Sequence, residues 1–586
     1  MKDLHTFRLT LTLQGPILTQ SSTPGAHGLD AVAARNAQGS FYLPGSLIKG
    51  RIREALHDLN QAKDATTWLG QADSVRSRLV FRDLVLQKGS SLLDGTLHRI
   101  QIEEETHAAK KGALVVIESP FAPGAEYAFH GDIELIEDAA TVETARALVE
   151  HALGFVTSIG GLRGVGFGVL RSFSVSEPAV VTNTLSSVKA RTGDLEVRIK
   201  PLYPFCLART QPDGNLFSST DEIPGGVIKG ALAEALLRAT GKELFELCRD
   251  ADWAALATAF DSLAFSHAFP TVEKKQRPRR MPHSLVRVHG KTVDAAFVAE
   301  PFVARPTGTD EPWRAPAFLW DWKDVDADGA RKDFEGSGPT WPALNRELRV
   351  RTAIDEGSRR AKEGALFAYE MVVPEDCDWV GRIAMPTAAD AKLYEQLERA
   401  FQIAGLWGFG KTKSRADIHL SSSPTPPVTL QTGVVALTLQ TDALLFSISD
   451  LDERHTTEST LGARYSAYFS ALDRGLALVR YFASQRLVGG DYLQNQFMGG
   501  RYHPWMLTDA GSVFVLQATT QQAAEALSEC LRLGLPALDR AQPTWDLCPY
   551  IRENGYGEIA AFVDPAVAHS IDLTTAPPFE IQGRNR

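Results

Sequence analysis

Pro44-Gly45-Ser46-Leu47-Ile48-Lys49-Gly50 returns later in the chain as Pro224-Gly225-Gly226-Val227-Ile228-Lys229-Gly230. Two further motifs recur in the same order. Lys111-Gly112-Ala113-Leu114 returns as Glu363-Gly364-Ala365-Leu366, each preceded by an Ala-Lys pair (Ala109-Lys110, Ala361-Lys362). Gly160-Gly161-Leu162-Arg163-Gly164-Val165-Gly166-Phe167-Gly168 has its counterpart in Gly405-Leu406-Trp407-Gly408-Phe409-Gly410-Lys411. Three unlike motifs in one order mean that a whole folding module was duplicated. Each piece joins glycine, which lets another backbone approach closely, to a cation. That pairing suits a phosphate chain better than a small apolar ligand.

Working outward, a strand-like alternation opens three segments, Phe7 to Leu13, Leu195 to Leu202 and Val434 to Leu445. Each segment later reaches an amphipathic helix (Val142 to Val156, Ala391 to Ile403, Gln521 to Leu533) and then a glycine-rich turn, the last being Glu553-Asn554-Gly555-Tyr556-Gly557-Glu558. The pattern predicts an α+β chain of three small ferredoxin-like units. The expected boundaries are 1–180, 194–422 and 431–586, with Ser421-Ser422-Ser423-Pro424-Thr425-Pro426-Pro427 as the clearest linker. The stretch 265–341 has no counterpart in the first unit and reads as an insertion of irregular structure.

The length of 586 residues exceeds what one core supports and suggests about three or four domains. The cysteines (Cys206, Cys248, Cys377, Cys530, Cys548) form no CxxC pair. A zinc ribbon and a disulfide scaffold are thereby disfavoured, and a reducing cytoplasm fits. The N-terminus alternates like a strand and offers no signal peptide or membrane span. A net charge of −10 argues against a uniformly basic nucleic-acid binder. Local basic tracks remain, in Lys274, Lys275, Arg277, Arg279, Arg280 and Arg287, and in Arg346, Arg349, Arg351, Arg359, Arg360 and Lys362. A solvated face is the other reading of either track.

Pro44 to Leu56 reads as a turn entering a helix, with Lys49, Arg51 and Arg53 on its first turns. A helix N-terminus beside cations is a site for phosphate oxygens. In the second copy Ala231 and Ala233 replace both arginines, so its grip is expected to be weaker. Ile102 to Glu118 and Ile354 to Glu370 each read as a β-hairpin arm with a basic turn. Gly405 to Thr412 matches the phosphate-loop NTPase pattern, but a helix precedes it and a strand follows, the reverse of what nucleotide binding needs. Asp30 lies in a loop expected to face the Pro44 to Gly50 motif, where a carboxylate steers a ribose hydroxyl or holds a divalent metal; an Asx turn is the alternative. The second unit has Arg209-Thr210 at that offset and Asp213 slightly later. Phe265, His267 and Phe269 beside Arg277 to His283 match the aromatic-and-cation pattern that stacks bases. Either histidine also reads as a structural one.

On these residues the chain resembles the RAMP superfamily of CRISPR-associated proteins, most nearly the repeated backbone subunits of type III effector complexes. The resemblance is carried by Gly28 to Leu56, Arg99 to Glu118, Gly160 to Gly168, Arg349 to Glu370 and Gly405 to Lys411. The last third, through Gly499 to Leu516 and Glu553 to Ile559, is similar to the C-terminal part of type III-D backbone proteins. The resemblance implies tandem RRM-like (RAMP) domains with a palm on the guide RNA (crRNA) and hairpin thumbs inserted at intervals. It also implies a complementary target RNA and other effector subunits as partners. Carried over, Ser46, Lys49 and Arg53 become palm contacts, the hairpins around Lys110 and Lys362 the thumbs, and Asp30 the cleaving carboxylate with a divalent metal (Mg or Mn). Arg51, Lys111, Arg163, Lys229, Arg279, Arg280, Arg359, Arg360, Lys411, Lys413 and Arg415 complete the expected RNA-contacting set. A non-cleaving scaffold and a histidine-dependent guide-processing endoribonuclease are the alternatives.

Overall fold

The structure is a computed structural model. It describes residues 1–20, 28–71, 75–181, 192–209, 215–272, 276–288, 291–294, 296, 317–318, 342–354, 361–423, 429–447, 458–489, 504–537 and 548–562. The chain is α+β, with several antiparallel sheets. Lys274, Lys275, Arg359, Arg360, Asp213 and most of 265–341 lie outside the described residues.

In the first sheet, Asp3–Gln14 lies between Glu126–Glu137 and Val169–Val175, and Val80–Phe81 and Leu84–Leu86 pair with the outer side of Glu126–Glu137. All these pairings are antiparallel. With helix Gly45–Asp58 after the first strand and helix Ala139–Leu153 before the last, this is a split βαβ arrangement of strand order 4-1-3-2. The second sheet repeats it. Leu195–Pro201 sits between Cys377–Ala384 and Ser414–Ser422, while Ala264–Phe265 and Phe269–Val272 take the outer place. The third does so again, with Gly433–Leu439 between Val513–Ala518 and Ile559–Phe562, and Leu476–Phe482 outermost.

Period decides which side chains go inside. Phe7, Leu9, Leu11 and Leu13 alternate to one face of the first strand and meet Ile48, Ile52 and Leu56, spaced along one side of the first helix. Asp138 caps the second helix, its side chain accepting from the Thr141 N–H. The core of the second unit is continuous with Leu4, Val80 and Ile136 of the first, so these two pack as neighbours rather than as beads on a string.

Two expectations need correction. Phe265 and Phe269 do not begin an insertion; they are sheet residues, fully buried, because their strands pair with Cys377–Ala384. The arms also begin earlier than expected. The first pairs Thr96–Arg99 with Val115–Glu118, and the second pairs Arg346–Ile354 with Ala361–Val372. In both, the strand ahead of the polar turn supplies the partner, and the first arm's turn region carries an isolated Ile102–Ala109 bridge.

Candidate nucleic-acid interface

Helix Gly45–Asp58 opens at Pro44 with no side-chain cap. Its first N–H, on Gly45, donates to Asp83 Oδ1 at 2.9 Å. The other carboxylate oxygen of Asp83 meets Arg349 of the second arm at 2.5 Å, and that guanidinium lies 4.7 Å from the Tyr42 ring centre. A protein carboxylate therefore already occupies part of the helix end that the sequence offered to phosphate, while Ser46 remains exposed beside it.

The helix cations are held as well as presented. Lys49 donates to Ser77 Oγ at 3.1 Å. Its ammonium is pulled down to about 8, first by burial and then by the like charges of Lys413 and Arg53. Arg53 donates to Leu69 O (3.0 Å) and Gly70 O (2.9 Å), closing the end of helix Ala62–Leu69. Arg51 pairs with Glu54 and reaches Ser158 O, and Arg163 stands 3.6 Å from the same Glu54.

Lys413 comes from the second unit's glycine loop. Its ammonium is lowered by desolvation and then by Arg238 and Arg76. Lys49, Arg53, Arg76, Arg238 and Lys413 thus gather at the seam between the first two units. Glu234 answers two of them, at 2.7 Å from Arg76 and 2.8 Å from Arg238. Arg76 and Arg238 lie outside every repeated motif, and nothing in their sequence context marked them; only the packing of two units brings them to one place.

Other candidates go elsewhere. Lys229 turns inward and donates to Asp261 O and Leu263 O, with burial pulling its ammonium down to about 8. Its helix end is also covered, since Gly225 and Gly226 face Asn554 of the third unit. The second grip expected from the repeat is closed. Arg415 is an internal ion, 3.1 Å from the fully buried Glu134, which also pairs with Arg82 and accepts from Trp407 Nε1. Arg277 pairs with Glu558 and Arg280 with Glu222. Arg279 is exposed. His267 is buried, edge-on to Tyr556 at 4.9 Å, and loss of solvation holds its imidazole at about 4. Lys110, Lys111 and Lys362 are exposed on the two arms.

Three donors of the phosphate-loop-like motif already face protein groups. Lys411 N–H donates to Cys206 O at 2.9 Å, Thr412 Oγ1 donates to Pro204 O at 3.2 Å, and the Lys411 ammonium lies 4.9 Å from the Phe217 ring centre.

Asp30 is exposed but bound to the root of the first arm. Its Oδ2 accepts from Val116 N–H at 2.7 Å and its own N–H donates to Val116 O at 2.8 Å. Glu118 fixes the same loop by accepting from Ala33 N–H at 2.8 Å and pairing with Arg35. Among the described residues no group of three or more His, Cys, Asp or Glu gathers. A lone carboxylate fits a Mg²⁺ that keeps its waters and shares substrate phosphates, not a metal caged by protein ligands.

Residues 10–171 match the family model described as RAMPs, the RAMP superfamily. The match covers the first unit. No curated protein matches the chain. Solved structures with local likeness include the type III-B Cmr-beta complex bound to cognate target RNA. One of its chains has 14% identity and a TM-score of 0.25, over 30% of this chain and 61% of that one. A chain of the same complex bound to cognate target RNA and AMPPnP has 12% identity and a TM-score of 0.29, over 55% of this chain and 86% of that one. Scores this low carry no weight for the whole chain. Among the described residues no helix is long and apolar enough to cross a membrane.

Proposed function

We propose that this chain is an RNA-binding backbone subunit of a type III CRISPR effector, holding the guide RNA along the seam between its first two units. The carrying observation is the gathering of Lys49, Arg53, Arg76, Arg238 and Lys413, with Glu234 between Arg76 and Arg238. Such a cluster costs electrostatic energy in the free protein, and a phosphate backbone relieves it. Exposed Ser46 extends the track along the helix opening, and the arms with Lys110, Lys111 and Lys362 project as thumbs that space the guide. The RAMP match over 10–171 supports the reading for the first unit. The expected domain limits of 1–180, 194–422 and 431–586 belong to the same proposal.

The test is guide-RNA binding by the purified chain at several salt concentrations. Lys49→Gln weakens binding and lowers the salt slope in this reading, whereas Lys229→Gln changes neither. Equal effects of the two would remove the basic seam from the account.

A second reading adds cleavage of a paired target RNA at one site. It is favoured by Asp30, an exposed residue held at the root of an arm by two hydrogen bonds to Val116, one accepted by its carboxylate and one donated by its backbone N–H. Asp30 would hold a divalent ion together with RNA phosphates, and the ion would supply charge neutralisation at the reacting phosphate. Asp30→Ala then abolishes cleavage and leaves guide binding intact, and cleavage at an unchanged rate would leave a scaffold.

A further inference from the structure

The chain contains three glycine–aromatic–glycine turns, Gly166-Phe167-Gly168, Gly408-Phe409-Gly410 and Gly555-Tyr556-Gly557. All six glycines have positive φ, between +61° and +88°. A Cβ on the last glycine of each would lie 2.0 Å from Ile159 O, 2.7 Å from Cys206 O and 2.6 Å from Leu535 O respectively. The three turns are built alike, and two of them seat on the unit ahead in the chain.

The second turn does so through Trp407, whose indole donates to Glu134, and through Lys413 O, which accepts from Arg82 at 2.6 Å. The third does so through Asn554, set against Gly226, and through Gly555, where a Cβ would meet Phe265 O at 2.5 Å and His267 N at 2.8 Å. Phe81 and Phe265 are equivalent. They pair with Ile133 and Ile383, and a Cβ on Gly45 or Gly225 would press on their carbonyls at 2.3 and 1.8 Å. Both seats therefore lie at the short strand that follows a Pro-Gly-opened helix: Arg82 comes directly after Val80–Phe81 and Glu134 pairs with Val80, while Phe265 belongs to Ala264–Phe265.

The first turn has no such seat among the described residues. Arg163, Gly164, Val165 and Gly166 are exposed, and Val165, in the place of the buried Trp407, is 55% exposed. We infer that this turn docks on a separate protein subunit of the same split βαβ architecture, against the strand that follows that subunit's Pro-Gly-opened helix. A second copy of this chain fits poorly, because its third unit opens no helix with Pro-Gly. The surface is a protein seat, not an RNA contact. The partner class rests on the effector-subunit reading above; the seat itself rests on the interface that the chain shows twice.

The test places a photo-crosslinking benzoylphenylalanine at Val165 in the purified ribonucleoprotein and maps the adduct by mass spectrometry. The expected adduct lies on a different subunit, in the strand after a Pro-Gly-opened helix. An adduct to RNA, an adduct to residues 458–482 of a second copy, or no adduct overturns the inference. Val165→Asp, which buries a carboxylate at the contact, is expected to weaken retention of that subunit about tenfold. Retention at the wild-type level overturns the inference. Guide binding is measured on the same variant and on the unsubstituted complex: an unsubstituted complex without guide RNA counts against the effector reading, and loss of the neighbour alone from the variant is what docking predicts.

Discussion

Glu134→Gln removes one charge from the point where the first two units meet, and its cost follows from the geometry. Glu134 is fully buried, as is nearly all of the Arg82 side chain, and the Arg415 side chain is only 14% exposed. The substitution keeps the shape and still leaves an acceptor for Trp407. It strands two guanidinium groups without their counter-charge. Breaking a buried pair by removing one partner costs about 3–5 kcal/mol, whereas an exposed pair is worth about 0–1 kcal/mol. Urea unfolding followed by intrinsic fluorescence reads this as a lowered free energy for the earliest cooperative step, since a chain of several units need not unfold in one. Arg415→Met combined with Glu134→Gln should recover part of the loss, because the second charge no longer needs a partner. A loss below about 1 kcal/mol for Glu134→Gln would refute the claim that Arg415 holds the seam rather than RNA.

The contact between the second and third units should be acid-sensitive. His267 titrates at about 4 when folded and near 6.5 when free, so the unfolded chain binds more protons in that window and stability rises with pH across it. Acidification from pH 6.5 to 4 costs up to about 3 kcal/mol through this group, and His267→Phe should flatten that part of the stability–pH curve measured by denaturant titration. Lys411→Ala is expected to leave ATP turnover at background, and Lys411-dependent hydrolysis would contradict the loop geometry. Shortening the first arm's turn at Ala108 to Lys111 should change thermal stability little, since those residues are exposed. The same change should alter the footprint of bound guide RNA.

The repeat was legible because duplication preserved glycine spacing, and the strand order of all three sheets follows from the pattern of strand, helix and glycine turn. Sequence could not say which way a repeated cation points. Lys49 and Lys229 occupy the same motif position, yet Lys229 sits under the third unit with two backbone carbonyls for partners. Likewise Arg415 reads as one more surface cation of a basic loop until Glu134, distant in sequence, is seen beside it. Phe265 and Phe269 look like a stacking platform because buried strand aromatics and base-stacking aromatics share one composition. Arg76 and Arg238 were invisible because their meaning arises only when two units pack.

The central claim, that the first seam grips an RNA backbone while its repeat does not, is tested most directly by the salt dependence of guide-RNA affinity. Wild type is compared with the Lys49→Gln/Lys413→Gln pair and with Lys229→Gln. Each lost phosphate contact lowers the slope of log affinity against log salt by about 0.7 for single-stranded RNA. The paired substitution should therefore flatten the slope by about 1.4 and weaken binding, while Lys229→Gln keeps the wild-type slope. A wild-type slope in the paired variant would contradict the account.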